Sequence, residues 1–125
     1  RELKYARMIN KLDYIINWEQ TSTDIYRKIN ALFPRANTTY KRKNLKIIKI
    51  KILTTEEIQN KNYKILSNIL KPGFIIGLIE KEGIIITTKT DPIILLEAKL
   101  EGKNLSSQNQ LIQQLNPVIG EKFSD

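Results

Sequence analysis

The sequence contains no histidine and no cysteine. The first absence removes the side chain that most often moves protons near neutral pH; the second removes the thiolate nucleophile, disulfide stapling and thiolate metal ligation. Aromatic residues are sparse, three Phe, one Trp and five Tyr, so a core must be assembled mainly from Ile and Leu. Long apolar runs are missing as well. The longest, Phe74 to Ile79, has the length of a strand and ends in Glu80-Lys81-Glu82, far short of the roughly 20 residues a membrane-crossing helix needs. No signal-peptide pattern is read, and a chain that opens at Arg1 rather than Met reads as a piece of something longer. The lack of cysteine fits a reducing interior, cytoplasmic or organellar. Together these absences move the expectation from chemistry to binding.

Carboxylates do not change that expectation. Glu56 and Glu57 are adjacent and would diverge on a helix, while Glu80 and Glu82 flank a hairpin tip open to water, so neither pair suits acid–base work or a metal.

What the chain does have is positive charge on one side of its length. Its 125 residues suggest one domain, large enough to bury a core without staples. From Arg1 to Lys51 there are 13 Lys/Arg against 4 Asp/Glu, a net of +9; from Ile52 to Asp125 there are 8 against 9, a net of −1. A one-sided excess of this kind is the footprint of a polyanion partner. A membrane surface is the weaker partner, because no amphipathic helix joins the basic stretch to an apolar face.

Residues 1–17 carry Arg1, Lys4, Arg7 and Lys11 among scattered apolar positions and read as a basic interdomain linker, with residues 18–125 forming the domain. Trp18 is expected to anchor that linker. The spacing of Ile25, Ile29 and Leu32, behind a cap at Thr21, Ser22 or Thr23, predicts a helix over 22–33 that stops at Pro34. A short strand at 38–40 and a basic turn follow, then a β-rich run, Leu45 to Leu53. In that run Ile48, Ile50 and Ile52 alternate with Lys49 and Lys51, but Lys46 falls on the isoleucine side, so a bulge is expected near Ile47.

Residues 55–70 are compatible with a short helix or a long loop. Pro72-Gly73 predicts a turn, and strands are predicted at 73–79, 84–88 and 93–100, joined by short connections that favour antiparallel pairing. Ser106-Ser107 is expected to cap a last helix through Leu111, Ile112 and Leu115 that Asn116-Pro117 stops. The fold expected is mainly β with short helices, an OB-like five-stranded antiparallel barrel preceded by a linker.

The order Trp18, Ile25, Arg27, Ile29, Pro34, then Leu45-Lys46-Ile47, Pro72-Gly73, Gly83, Thr88, Gly102-Lys103 and Gly120 with Phe123 resembles the C-terminal domain of methionyl-tRNA formyltransferases. The resemblance spans nearly the whole chain. It rests on order and spacing rather than on one strong motif. Departures from the family pattern are Asn30 where Arg is common, Pro34-Arg35-Ala36-Asn37 for a Pro-x-Pro-Gly turn, Thr90-Asp91-Pro92 for a Gly-Asp-Gly turn, and Lys99 where Gln precedes the Gly-Lys pair.

The resemblance implies that a separate N-terminal Rossmann-like domain binds 10-formyltetrahydrofolate and uses Asn, His and Asp to formylate methionine on initiator tRNA. This chain would hold the tRNA, without a catalytic residue, cofactor or metal of its own, as a monomer that meets tRNA and its own N-terminal domain. Long cations on one surface suit phosphate binding, and the set expected to supply them is Arg27, Lys28, Arg35, Lys41, Arg42, Lys43, Lys46, Lys49, Lys51 and Lys103, with Arg1, Lys4, Arg7 and Lys11 along the linker. Tyr5, Tyr14, Tyr26 and Tyr40 invite a base-stacking reading against a plain core or rim role. Two other functions remain open at this point: a structural C-terminal domain of a formyltransferase acting on a sugar or small amine, and a stand-alone OB-fold binder of single strands.

Overall fold

The computed structural model describes residues 11–66, 68 and 71–123. The positions of Arg1, Lys4, Tyr5 and Arg7 lie outside them; Lys11 opens a 3-10 turn, Lys11–Tyr14. The first helix, α1 (Ser22–Leu32), starts where predicted because Thr21 accepts the Asp24 amide N–H through its hydroxyl, at 3.1 Å. Ser22, Ile25 and Ile29 face the core. The helix start is also pinned from outside: the Ser22 amide donates to the Thr90 hydroxyl (2.9 Å) and the Lys89 amide to the Gln20 carbonyl (3.2 Å).

Six antiparallel strands form one curled, barrel-like sheet, five of them in the order β1-β2-β5-β4-β3 and the sixth, β6, paired with β5 off that path. They are β1 (Asn37–Tyr40), β2 (Lys43–Ile52), β3 (Ile75–Ile79), β4 (Gly83–Ile86), β5 (Ile93–Leu100) and β6 (Leu105–Ser107). The long β5 is the hub. Its whole length pairs with β2, while its other edge is shared, β4 taking residues 93–95 and β6 taking 97–99.

The sixth strand corrects the expected count of five. Leu105 to Ser107 pairs with β5 and leads directly into helix α3 (Gln108–Leu115), so Ser106 and Ser107 do not cap that helix with their hydroxyls; Ser106 bonds Gln114 Oε1 instead, at 3.0 Å. Leu111 and Leu115 of α3 are buried, and Asn116, in the left-handed region at φ 47°, ends it. Residues 55–70 divide between both readings: Thr54 and Glu57 form a reciprocal capping box for helix α2 (Thr55–Asn60), and a loop follows.

The slip expected in β2 falls at Ile48. Pairing runs Ile47↔Ala98, then Lys49↔Glu97, then Ile50↔Leu95, so Ile48 and, on the facing strand, Leu96 are each left out of the ladder. Because each extra residue reverses which face the following side chains meet, Leu45, Ile47 and Ile50 point inward and Ile48 is only half-buried, rather than sharing the core face with Ile50 and Ile52.

The main core gathers Ile16, Trp18, Ile25, Ile29, Ile47, Ile75, Ile84, Leu95 and Phe123 among others. A second, smaller core of Leu53, Ile76, Ile85 and Ile94 lies on the opposite face of the sheet, under Ile58, Tyr63 and Ile65. The two edge strands are bridged by the ends of the described chain. Ile15 pairs with Asn37 beside β1, and Phe74 with Lys122 beside β3. Phe123 sits between Tyr40 and Trp18, with ring centroids at 5.0 and 5.7 Å, and Trp18 Nε1 donates to the Thr38 hydroxyl. A Cβ on Gly73 would lie 3.3 Å from Trp18, and its φ of 87° suits glycine, so the Pro72-Gly73 turn is what lets the indole approach.

Candidate nucleic-acid interface

A positive surface needs cations that are exposed and not already neutralised. The structure divides the expected set by that criterion. On β2, Lys46, Lys49 and Lys51 project from the exposed face, opposite to the buried Leu45, Ile47 and Ile50. Lys49 stands across from Glu97. Lys51 is engaged, its ammonium 3.0 Å from Glu57, and that contact holds the Glu57 carboxyl below the usual carboxylate range, helped by the Thr54 backbone. Lys46 stands directly across from Lys99.

Upstream of β2 the chain reverses at Lys41-Arg42, a two-residue hairpin turn with φ values of 50° and 68°. Both central residues in the left-handed region is the geometry that hairpins usually assign to Asn-Gly, and here two cations hold it. They do different work. Lys41 folds back to donate to the carbonyls of Leu115 and Asn116 (3.3 and 3.1 Å), capping the end of α3, with Glu121 at 3.9 Å. Arg42 and the following Lys43 are exposed and have no side-chain partner among the described residues.

On α1, Arg27 is exposed while the Lys28 ammonium donates to the Ile15 carbonyl, so Lys28 ties down the entering chain instead of standing free as the helix pattern suggested. Arg35 reaches the Tyr14 hydroxyl at 3.4 Å and lies over its ring. Lys103 is exposed at the turn after β5, beside a shallow polar hollow shared with Asn104 and Gln110.

Among the tyrosines, Tyr40 is buried and donates to Glu121 at 2.6 Å. Burial, reinforced by that carboxylate, pushes its hydroxyl well above the ordinary tyrosine range, so it is a core residue and no stacking platform. Burial acts to raise Glu121, but the hydrogen bonds from Tyr40 and the Val118 amide, with Lys41 nearby, outweigh it and hold the carboxyl low. Tyr26 is 40% exposed and shares a hollow of about 480 Å³ with Lys49, Lys51 and Leu96.

The residue that sequence reasoning missed is Lys99. It entered only as a departure from a pattern; the signal that would have found it is the pairing register of β5 with β2, which opposes it to Lys46.

The structure thus defines a class: a small antiparallel β domain, basic along one sheet face and at one hairpin tip, whose perturbed carboxyls and tyrosines are occupied in holding the fold. The match to the family described as formyl transferase, C-terminal domain, covers residues 8–116, and the chain belongs to that family. Along all of its 125 residues it is 87% identical to a methionyl-tRNA formyltransferase of Prochlorococcus marinus subsp. pastoris (strain CCMP1986 / NIES-2087 / MED4) and 78% identical to that of Prochlorococcus marinus (strain MIT 9515), and it covers 38% of each. A more distant relative of the same description, from Synechococcus sp. (strain CC9902), is 32% identical over 130 aligned residues, which take in 98% of this chain and 38% of the relative. The chain spans well under half the length of these relatives.

Proposed function

We propose that this chain is the tRNA-holding C-terminal domain of a methionyl-tRNA formyltransferase, gripping initiator tRNA through phosphate and shape contacts while a preceding N-terminal domain performs the formyl transfer. The observation that carries this reading is that the lysine-bearing face of β2 is left uncovered in a domain of this family. The residues free for phosphate are Arg27, Arg42, Lys43, Lys46, Lys49 and Lys103. Lys28, Lys41 and Lys51 support the surface from within the fold, Arg35 lies against Tyr14, and the linker cations Arg1, Lys4, Arg7 and Lys11 extend the grip toward the N-terminal domain. Residues 1–17 act as the interdomain linker, whose end at Ile15 and Ile16 is already built into the fold, in an OB-like monomer of the cytoplasm or an organellar interior; no helix among the described residues is long and apolar enough to cross a membrane.

Among the described residues, the hollow between α2 and the 87–92 turn does not fit 10-formyltetrahydrofolate. It measures about 520 Å³, is lined by Thr, Ile, Leu, Gln and Pro side chains with Lys89 as its one charge, and offers no carboxylate to a pterin edge. In this reading the folate sits in the preceding domain, and the share of this chain is to raise the occupancy of tRNA there.

The test is formylation kinetics of the full-length protein with Arg42→Gln and Lys43→Gln combined. The expected result is a KM for methionyl-tRNA raised roughly tenfold with kcat retained, and a shallower dependence of tRNA affinity on salt. An unchanged KM and salt slope overturns the reading.

A further inference from the structure

Directly opposed residues on an antiparallel pair have their Cβ atoms about 5 Å apart on the same face, and like charges placed there repel. Lys46 of β2 and Lys99 of β5 are such a pair, both exposed, at the middle of a row that runs Asn37, Lys46, Lys99, Leu105 across four strands. The surroundings do not neutralise them. Along β5, Lys99 is flanked by Glu97 and Glu101; Glu97 stands across from Lys49, and Glu101 accepts the Asn44 amide at 2.9 Å. No carboxylate among the described residues comes within ion-pair distance of either ammonium. Asn37, at the end of the row, donates its side-chain amide to the Arg35 carbonyl (3.0 Å) and offers the lysines no relief.

We infer that Lys46 and Lys99 form a two-ammonium clamp for one phosphodiester of the bound RNA, each ammonium donating to one non-bridging oxygen. The inference rests on the tRNA-holding reading above and sharpens it to one contact. A phosphodiester is the complement this pair calls for: one negative charge shared between two donors, at a place where no carboxylate among the described residues reaches either ammonium. The clamp lies near one end of the β2–β5 ladder, one pair in from Leu45↔Leu100, where a backbone passing along β2 from the Arg42-Lys43 hairpin tip crosses it. Lys99 is one of the departures of this chain from the resembled family pattern, so the clamp belongs to this chain rather than to that pattern.

The experiment measures the affinity of the full-length protein for an unmodified initiator tRNA transcript across a salt series, for Lys46→Gln, Lys99→Gln, the two combined, Arg42→Gln with Lys43→Gln, and Lys64→Gln as an exposed lysine in the loop after α2, away from the β2–β5 face. Each clamp variant is expected to lose on the order of fivefold in affinity and to make the salt slope shallower by about 1. The combined variant loses less than the product of the two, because both act on one phosphate, and Lys64→Gln changes neither quantity. Thermal unfolding supplies a second readout of opposite sign: Lys99→Gln relieves the repulsion and raises Tm. A Lys99→Gln protein with wild-type slope, beside a shallower slope for the Arg42/Lys43 variant, overturns the clamp and leaves the tRNA reading standing. Equal losses for Lys99→Gln and Lys64→Gln overturn the clamp as well, and wild-type slopes throughout overturn both.

Discussion

The strands β2 and β4 lie on either side of β5 and meet different surroundings on their outer faces. In β4 every residue is buried: Ile84 and Ile86 on the main core, Ile85 on the second, under the side chains of Ile58, Tyr63 and Ile65. In β2 the inward residues are as deeply buried, but the outward ones are Lys46, Lys49 and Lys51. One half of the sheet is sandwiched between two apolar layers and the other has one layer and water. The difference is chemical before it is architectural, since an isoleucine on an outer face demands a cover whereas a lysine there excludes one. The segment 53–66 supplies the cover for β4 and its neighbours, and the uncovered half is where the excess charge collects.

That contrast makes sharp demands. Changes in the sandwiched half and its seams should cost stability, and changes on the open half should cost RNA affinity with stability intact or improved. The largest effect is expected at the seam between the edge strands: Phe123→Ala, which empties the space between Trp18 and Tyr40, should destabilise by about 4 kcal/mol in chemical denaturation. Next comes Gly83→Ala in β4. Its Cβ would fall 1.9 Å from the Leu95 carbonyl oxygen, a backbone atom that cannot swing aside, and a loss of about 3 kcal/mol is expected by the same measurement.

Tyr40→Phe should cost about 1.5 kcal/mol at pH 7, the worth of a buried hydrogen bond to a charged acceptor. It also carries a pH signature. Because the folded state holds the Tyr40 proton more tightly than the unfolded chain, whose hydroxyl titrates near 10.0, the stabilisation is complete below pH 10 and declines as pH rises beyond it. Tyr40→Phe should flatten that alkaline decline in denaturation measured from pH 8 to 11. A residual slope should remain from Tyr63, whose hydroxyl is pushed up to about 12 by burial and by its bond to Glu82.

The smallest effect is the most diagnostic. Arg42→Gly removes a side chain from the left-handed region and should raise stability by about 0.5–1 kcal/mol in a thermal melt while weakening tRNA binding. A gain in stability with full RNA affinity would remove the hairpin tip from the interface and blur the line between the two halves.

Much of this architecture was legible in the sequence because local signals and tertiary context agreed. Thr21 caps α1 and Pro34 follows its end; the turns around Pro72-Gly73 and Gly83 delimit the central strands; the slip among the isoleucines of β2 is a bulge. What was not legible depends on partners distant in the chain. Leu105 to Ser107 reads as a helix cap because Ser is a good cap, and becomes a strand because β5 offers a free edge there. Lys28 and Lys41 look like solvated cations on composition, and only the placement of the Ile15 carbonyl and of the α3 C-terminus turns them into structural donors. The register that opposes Lys46 to Lys99 belongs to the pairing of β2 with β5, is the same on both sides of the mutually cancelling slips at Ile48 and Leu96, and is contained in no window within one strand.

The aromatic seam has a topological consequence. Trp18 and Phe123 stand at opposite extremes of the described fold, yet their rings lie 5.7 Å apart, and the Phe123 amide donates to the Gly73 carbonyl against which Trp18 packs. The described fold is therefore a nearly closed loop, with Trp18 and Phe123 as the two sides of one stitch. Cut elsewhere, as in the exposed bend at Gly102, and sewn together there, the same strands would follow one another in the same cyclic order. In the order the chain takes, Ile15 is fastened beside the stitch by its pairing with Asn37.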